Sequence, residues 1–201
     1  MNAAAGCAPE SAADARRRAL LEAALAVFAR HGYKKASMDE VAHAAGVSRQ
    51  GLYLHFQSKE DLFRAAVAHA LQRSQAAVAA VVEAPAGSVE DKLVGAFDEW
   101  VGQFVDAVGA DVDDLVDACR VLLGPVVEEH AAQFAARIAT LLDSSGVAAA
   151  YAPLDITAQQ LATLLCATAD GLKAKRTTRQ AFVDGMRVAV RALCGPMVHR
   201  R

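Results

Sequence analysis

The chain has 201 residues, enough for one or two domains with a sizeable buried core. Its 54% apolar fraction includes 47 alanines, without which the larger apolar residues make up about 31%; with aromatics at only 5%, this composition favours helix over sheet and argues against a membrane span. The net charge of −2 is unevenly spread, with 10 basic against 7 acidic side chains in residues 1–75, 2 against 12 in residues 83–129, and 8 against 1 in residues 171–201, which points to separate functional parts and a polyanion partner at one end.

No segment offers the 18 or more charge-free apolar residues of a spanning helix, and residues 1–10 lack the basic and apolar regions of a signal peptide. A soluble cytoplasmic protein with no membrane partner is therefore expected. Cys7, Cys119, Cys166 and Cys194 lie too far apart for zinc-ligand spacing and read as small buried apolar residues, with a redox pair as the alternative. No metal or cofactor is expected. Neither a GxSxG, an HExxH, a P-loop nor a GxGxxG pattern occurs, so the expectation is that the chain is not an enzyme.

The first helix is predicted over residues 11–30, with Leu20, Leu21, Ala24, Leu25 and Phe28 on one face and Gly32 closing it. Ser37 and Glu40 form a capping-box pattern that opens a short helix ending near Ala45. Gly46 breaks it, Ser48 caps a second short helix reaching Phe56, and Ser58 caps a long one carrying Leu62, Phe63, Ala66, Val67, Ala70, Leu71, Val78 and Val81. After the Pro85–Gly87 break, Ser88 starts a helix that aligns Leu93, Phe97, Trp100 and Phe104. Gly109 interrupts, a helix occupies residues 111–123, and Gly124-Pro125 reads as a loop before a further helix over residues 126–142. A loop at residues 144–153 precedes two last helices, residues 157–173 and 178–194, ended by Gly195-Pro196. The fold class is all-α, about nine helices, divided into a helix-turn-helix domain at residues 10–57 and a helical domain at residues 58–201.

Residues 37–56 carry the functional signal. Two short helices joined at Ala45-Gly46-Val47 make a helix-turn-helix, with Met38, Val41, Ala42, Ala45, Val47 and Leu52 fixing the angle between them. The second helix then turns Ser48, Arg49 and Gln50 outward, side chains suited to phosphates or to base edges in a major groove. Gly51 permits close approach to that groove, at a cost of about 1 kcal/mol in helix stability relative to alanine.

The runs at residues 23–33, 37–42, 46–56 and 58–62 closely resemble the DNA-binding domain of the TetR (tetracycline-repressor-like) regulators, a resemblance that covers about residues 16–70. It implies an all-α homodimer whose helix-turn-helix heads bind a palindromic double-stranded DNA operator, as a repressor released by a small-molecule effector. By position, the resemblance gives Arg49 and Gln50 the bases, Tyr53 and His55 the phosphate backbone, and Ser37 and Lys59 the phosphates on either side. Packing between helices is the alternative reading for Tyr53 and His55. Lys34 and Lys35 read as backbone contacts or a solvated turn, and Arg16, Arg17 and Arg18 as duplex contacts or a solvated face.

In the C-terminal part, Phe97, Trp100, Phe104, Phe134 and Ile138 form aromatic and apolar stripes that suit either core or pocket. The resemblance favours an effector pocket, with Cys119, His130 and Gln133 as its polar groups. The acidic block reads as a solvated face, or as favouring a cationic effector, or as keeping this half away from DNA. Leu161, Leu164, Leu165, Thr168 and Leu172 make one seam of a candidate dimer interface, and Phe182, Met186, Val190 and Leu193 another, which the resemblance pairs as a four-helix bundle about a two-fold axis. Lys173, Lys175, Arg176 and Arg179 fall in the connection between these helices. The competing readings are a helix-turn-helix protein without effector and a cysteine-based redox regulator.

Overall fold

The computed structural model describes residues 11–105, 112–174 and 178–195. Among them there is no strand, and no helix is long and apolar enough to cross a membrane. Side-chain caps start most of the helices. Ser11 opens α1 (Ala12–Lys35), which is broken near its end by Gly32 at φ 75°. Ser37 and Glu40 cap each other's backbone at the start of α2 (Met38–Ala44), Ser48 opens α3 (Arg49–His55), and Ser58 opens α4 (Lys59–Glu83). A second capping box, Ser88 with Asp91, opens α5 (Val89–Phe97). A π turn, Asp98–Gly102, and the single turn α6 (Gln103–Val105) extend it. Then come α7 (Val112–Ser144), a 3-10 segment (Ala148–Leu154), α8 (Ala158–Ala174) and α9 (Arg179–Cys194), the last capped by Thr178.

Two hydrophobic clusters organise these helices. The first joins Leu20, Ala24 and Phe28 of α1, Val41 of α2, Leu52 of α3 and Leu62, Phe63 and Ala66 of α4. The second joins Val78 of α4, Leu93 and Phe97 of α5, Phe134, Ile138 and Leu142 of α7, Leu161 and Leu165 of α8, and Phe182, Met186 and Val190 of α9. Two helices belong to both, because Ala118 and Leu123 of α7 complete the first cluster. The proposed boundary after residue 57 thus cuts through a packed unit, since Leu62 to Val67 lie in the same cluster as the helix-turn-helix.

α4 and α7 run side by side in the same direction. Arg64 donates to the Leu122 carbonyl, Gln75 Nε2 donates to the His130 carbonyl at 3.0 Å, and Arg137 pairs with Glu83 at 3.0 Å. A polar waist separates the two clusters here: Ser74 is almost fully buried, and Gln75 and His130 meet across it.

Three sequence expectations are corrected. Gly124-Pro125 is not a loop; α7 is one helix with Pro125 in its interior. Proline there removes one backbone bond and crowds the carbonyl one turn back. Packing against both clusters holds the helix across that defect, and Arg64 satisfies the neighbouring Leu122 carbonyl. Second, the π turn inserts an extra residue before α6 and rotates that single turn about the helix axis. Val105 therefore packs against the second cluster, and Phe104 does not join it. Third, the loop expected at residues 144–153 contains the 3-10 segment, tied down by the Tyr151 hydroxyl donating to the Leu193 carbonyl at 2.6 Å. Cys7, the break at Gly109, Lys175, Arg176 and Pro196 lie outside the described residues.

Candidate nucleic-acid interface

The turn between α2 and α3 is built by backbone hydrogen bonds. The Val47 N–H reaches back to the Ala42 carbonyl at 3.0 Å and the Gly46 N–H to the His43 carbonyl at 3.2 Å, a Schellman closure. It requires a left-handed residue, and Gly46 at φ 66° supplies it. Ser48 then accepts from the Gly51 N–H at 3.0 Å, restarting the chain as α3. Leu52, fully buried, and Phe56 pin one side of α3 to the first cluster. The opposite side is outward: Ser48, Arg49, Gln50, Tyr53, Leu54 and His55 are all exposed, with Gly51 partly so.

This face is pre-arranged. Arg49 Nη1 pairs with Asp39 Oδ2 of α2 at 2.9 Å, and its guanidinium lies 5.7 Å from the centre of the Tyr53 ring. Leu54, 81% exposed, is the residue that sequence reasoning missed. An uncovered leucine on a short helix otherwise held by buried apolar contacts is the signal that marks it.

Several expected contacts have other partners. Lys59 does not point to a phosphate. Its ammonium donates to the carbonyls of Tyr33, Lys34 and Ala36 at 2.9, 3.1 and 3.1 Å and stands 4.7 Å from the centre of the Tyr33 ring. An ammonium has three N–H groups, and all three are taken. Lys34 has an exposed side chain, yet its Nζ lies 3.3 Å from Asp114 Oδ1 and its backbone N–H donates to Asp114 Oδ2 at 2.7 Å. That N–H, first among the causes, holds the Asp114 carboxyl below the usual carboxylate range. Lys35 is exposed at the same turn. Ser37 is engaged in its capping box, its hydroxyl donating to Glu40 Oε2 at 2.9 Å. Arg17 lies over the Phe56 ring at 5.4 Å, packed on the helix-turn-helix.

Residues 20–66 match the family model of bacterial regulatory proteins, tetR family. Over those residues, less than a quarter of its length, the chain is similar to the tetR-family DNA-binding head. Among curated relatives of the TetR-type head, the uncharacterised HTH-type regulator YezE of Bacillus subtilis is 37% identical over 87 residues, 43% of this chain and 44% of YezE. The activator FasR of Mycolicibacterium smegmatis is 54% identical over 52 residues, 26% of this chain and 24% of FasR. The chain thus matches less than half the length of either relative. Over the whole molecule the fold is similar to that of a crystallised TetR-family regulator from Rhodococcus sp., with a TM-score of 0.65 at 21% identity, covering 89% of this chain and 97% of the other.

Behind the TetR-type head, the second cluster leaves a cavity of about 200 Å³. Phe97, Trp100 and Phe134 line it, as do Thr163, Cys166 and Asp170 of α8. The Trp100 and Phe134 rings are stacked, 4.9 Å apart and inclined by 8°, with Phe97 edge-on to Phe134. The remaining expected pocket residues lie elsewhere. Ile138 is fully buried in the core, partly buried Phe104 is not among the residues that line the cavity, and Cys119 packs against the first cluster. His130 and Gln133 do not line the cavity either; His130 belongs to the waist, and exposed Gln133 donates to Glu129 at 3.3 Å. Cys166 and Asp170 were not expected there, because nothing in sequence says which turn of α8 meets α7. Burial, aided by Asp170, pushes the Cys166 thiol up to about 11; burial and Glu90 push Cys194 up to about 11; burial also raises Cys119.

The expected dimer seams are corrected as well. Leu161, Leu165, Phe182, Met186, Val190 and Leu193 are buried inside the single chain, so they hold α8 and α9 to the core and cannot also meet a second copy. Leu172 fills the notch at Gly185, where its methyl carbons lie 2.9 Å from the place a Cβ would occupy. Thr168 is partly buried and donates to the Leu164 carbonyl. Leu164, at 59% exposure, faces outward, as does Val188 of α9 at 70%. Ala167, Gly171, Ala181 and Ala192 are exposed on the same two helices. Arg179, expected in a solvated connection, grips Asp98 of the π turn through two bonds of 2.8 Å.

Proposed function

We propose that the protein is a transcriptional regulator that binds a palindromic double-stranded DNA operator as a homodimer and releases it when a small molecule occupies the cavity behind Trp100. The observation that carries this reading is the outward face of α3, where Arg49, Gln50, Tyr53 and Leu54 stand exposed above buried Leu52. Arg49 and Gln50 have the donors to read guanine and adenine edges, Leu54 suits a thymine methyl, and Tyr53 and His55 flank them toward the phosphates. Ser48 and Ser37, at the starts of α3 and α2, add phosphate contacts, with Lys34 and Lys35 at the adjoining turn.

The second copy packs on the exposed stripe of Leu164, Ala167 and Gly171 with Ala181, Val188 and Ala192. These small residues let helices approach closely, and a self-complementary patch matches the symmetry of a palindrome. Repression is the mode read here, because a DNA-binding head with a ligand cavity suffices to occlude a promoter and to lift that block.

Titrating the purified chain against fragments of its own upstream DNA at moderate salt tests the proposal. A preferred palindromic site, lost on Gln50→Ala while binding to random duplex persists, is the expected result. The absence of any preferred site would overturn it. The redox alternative is disfavoured by thiols pushed to about 11 at Cys166 and Cys194, which stay protonated and unreactive near neutral pH.

A further inference from the structure

We infer that the cavity behind Trp100 selects a small organic monocation with a flat or compact apolar body, a ligand class that rests on the effector reading above and narrows it. Of the cavity's described lining residues, only Asp170 carries a charge; the rest are aromatic, apolar or neutral polar. Half-buried Trp100, backed by its stack on buried Phe134, lines the cavity, and an indole face attracts a cation more strongly than the other aromatic rings. Asp170 adds a carboxylate at the mouth, where it already disfavours the Cys166 thiolate, and it disfavours any bound anion in the same way. Thr163 is the neighbouring neutral polar group.

Asp98, two residues before Trp100 in the π turn, is matched by Arg179. Lys173 is the nearest cation along α8, one turn beyond Asp170 toward the head; it does not line the cavity, and its charge acts on Cys119. At about 200 Å³ the space is smaller than the 300–1,000 Å³ typical of sites for drug-sized ligands, so a single-ring body fits and a long acyl chain does not.

Trp100 is the chain's single tryptophan, so its fluorescence reports this cavity and nothing else. The full chain is titrated with benzyltrimethylammonium, with its neutral isostere neopentylbenzene, and with the anion benzylsulfonate. Saturable Trp100 quenching by the cation, at least about fivefold tighter than by the neutral compound and absent for the anion, is expected. Asp170→Asn, an exposed and isosteric change, should bring the cation down to the neutral compound's affinity while leaving the latter unaltered. Equal affinities for cation and neutral compound, or an unaltered cation affinity in Asp170→Asn, would overturn the inference. The same cation is then added to the protein–DNA complex. Trp100 quenching without any change in DNA affinity would keep the ligand class and sink the effector reading, whereas sequence-specific DNA binding with no cation selectivity would do the reverse.

Discussion

The backbone N–H of Lys34, at the end of α1, donates to the carboxylate of Asp114, near the start of α7, at 2.7 Å. The two residues are 80 positions apart, and the bond ties the helix-turn-helix head to the helix that also walls the cavity behind Trp100. Because the Asp114 carboxyl is depressed in the fold by this N–H, its stabilising effect is present above the unfolded carboxylate pKa and is lost as pH falls through the lower folded value. Asp114→Asn should therefore melt at a lower temperature than the parent at pH 7, and the gap should persist at pH 5. It should close only below the ordinary aspartate range near about 3.9, as followed by circular dichroism. A gap that does not change with pH would refute this role.

Lys59→Met removes three carbonyl contacts and leaves the end of α1 uncapped. We expect a loss of about 1–3 kcal/mol in stability by chemical denaturation. DNA affinity should fall only as far as the head unfolds, and the slope of log affinity against log salt should stay that of the parent. A true phosphate contact would instead lower that slope by about 1.

Leu164→Glu and Phe182→Ala separate surface from core on the last two helices. The first places a charge on an exposed position, so the chain should keep its helicity and melting temperature per monomer yet elute as a monomer. The second empties a fully buried site and should cost about 3–5 kcal/mol. Size-exclusion with light scattering, beside thermal melts, distinguishes the two outcomes.

Pro125→Ala restores an N–H in the interior of α7. Since an interior proline costs about 3 kcal/mol relative to alanine in a helix, and the packing around it already fits its ring, the variant should be more stable by about 1–3 kcal/mol. A lower melting temperature would mean that the proline's shape is itself required by the packing around it.

Much of the fold was legible in the sequence because it is locally encoded. Ser37 with Glu40, Ser48, Ser58, Ser88 with Asp91, and Thr178 cap the helices they were expected to start, each through a bond to a backbone three residues on. Gly46 likewise declares its turn by its own chemistry. The features that escaped are non-local. The apolar stripes of α8 and α9 are real, but a stripe does not say whether it meets its own chain or a second copy, and the buried residues chose the former. Lys59 looked like a surface cation because the three carbonyls it serves lie 23 to 26 residues away. Phe104 was misplaced by one inserted residue, which no period-3.6 pattern registers.

Ala118 and Leu123 come from α7, yet they close the hydrophobic cluster under α2 and α3. A head excised at residue 57, or grafted onto the body of another regulator, would carry a hole where those two side chains belong. A chimera that keeps the head folded should therefore transfer the first turns of α7 along with α1–α4: the helix-turn-helix and the segment that seals it form one packed unit, although more than fifty residues of chain separate them.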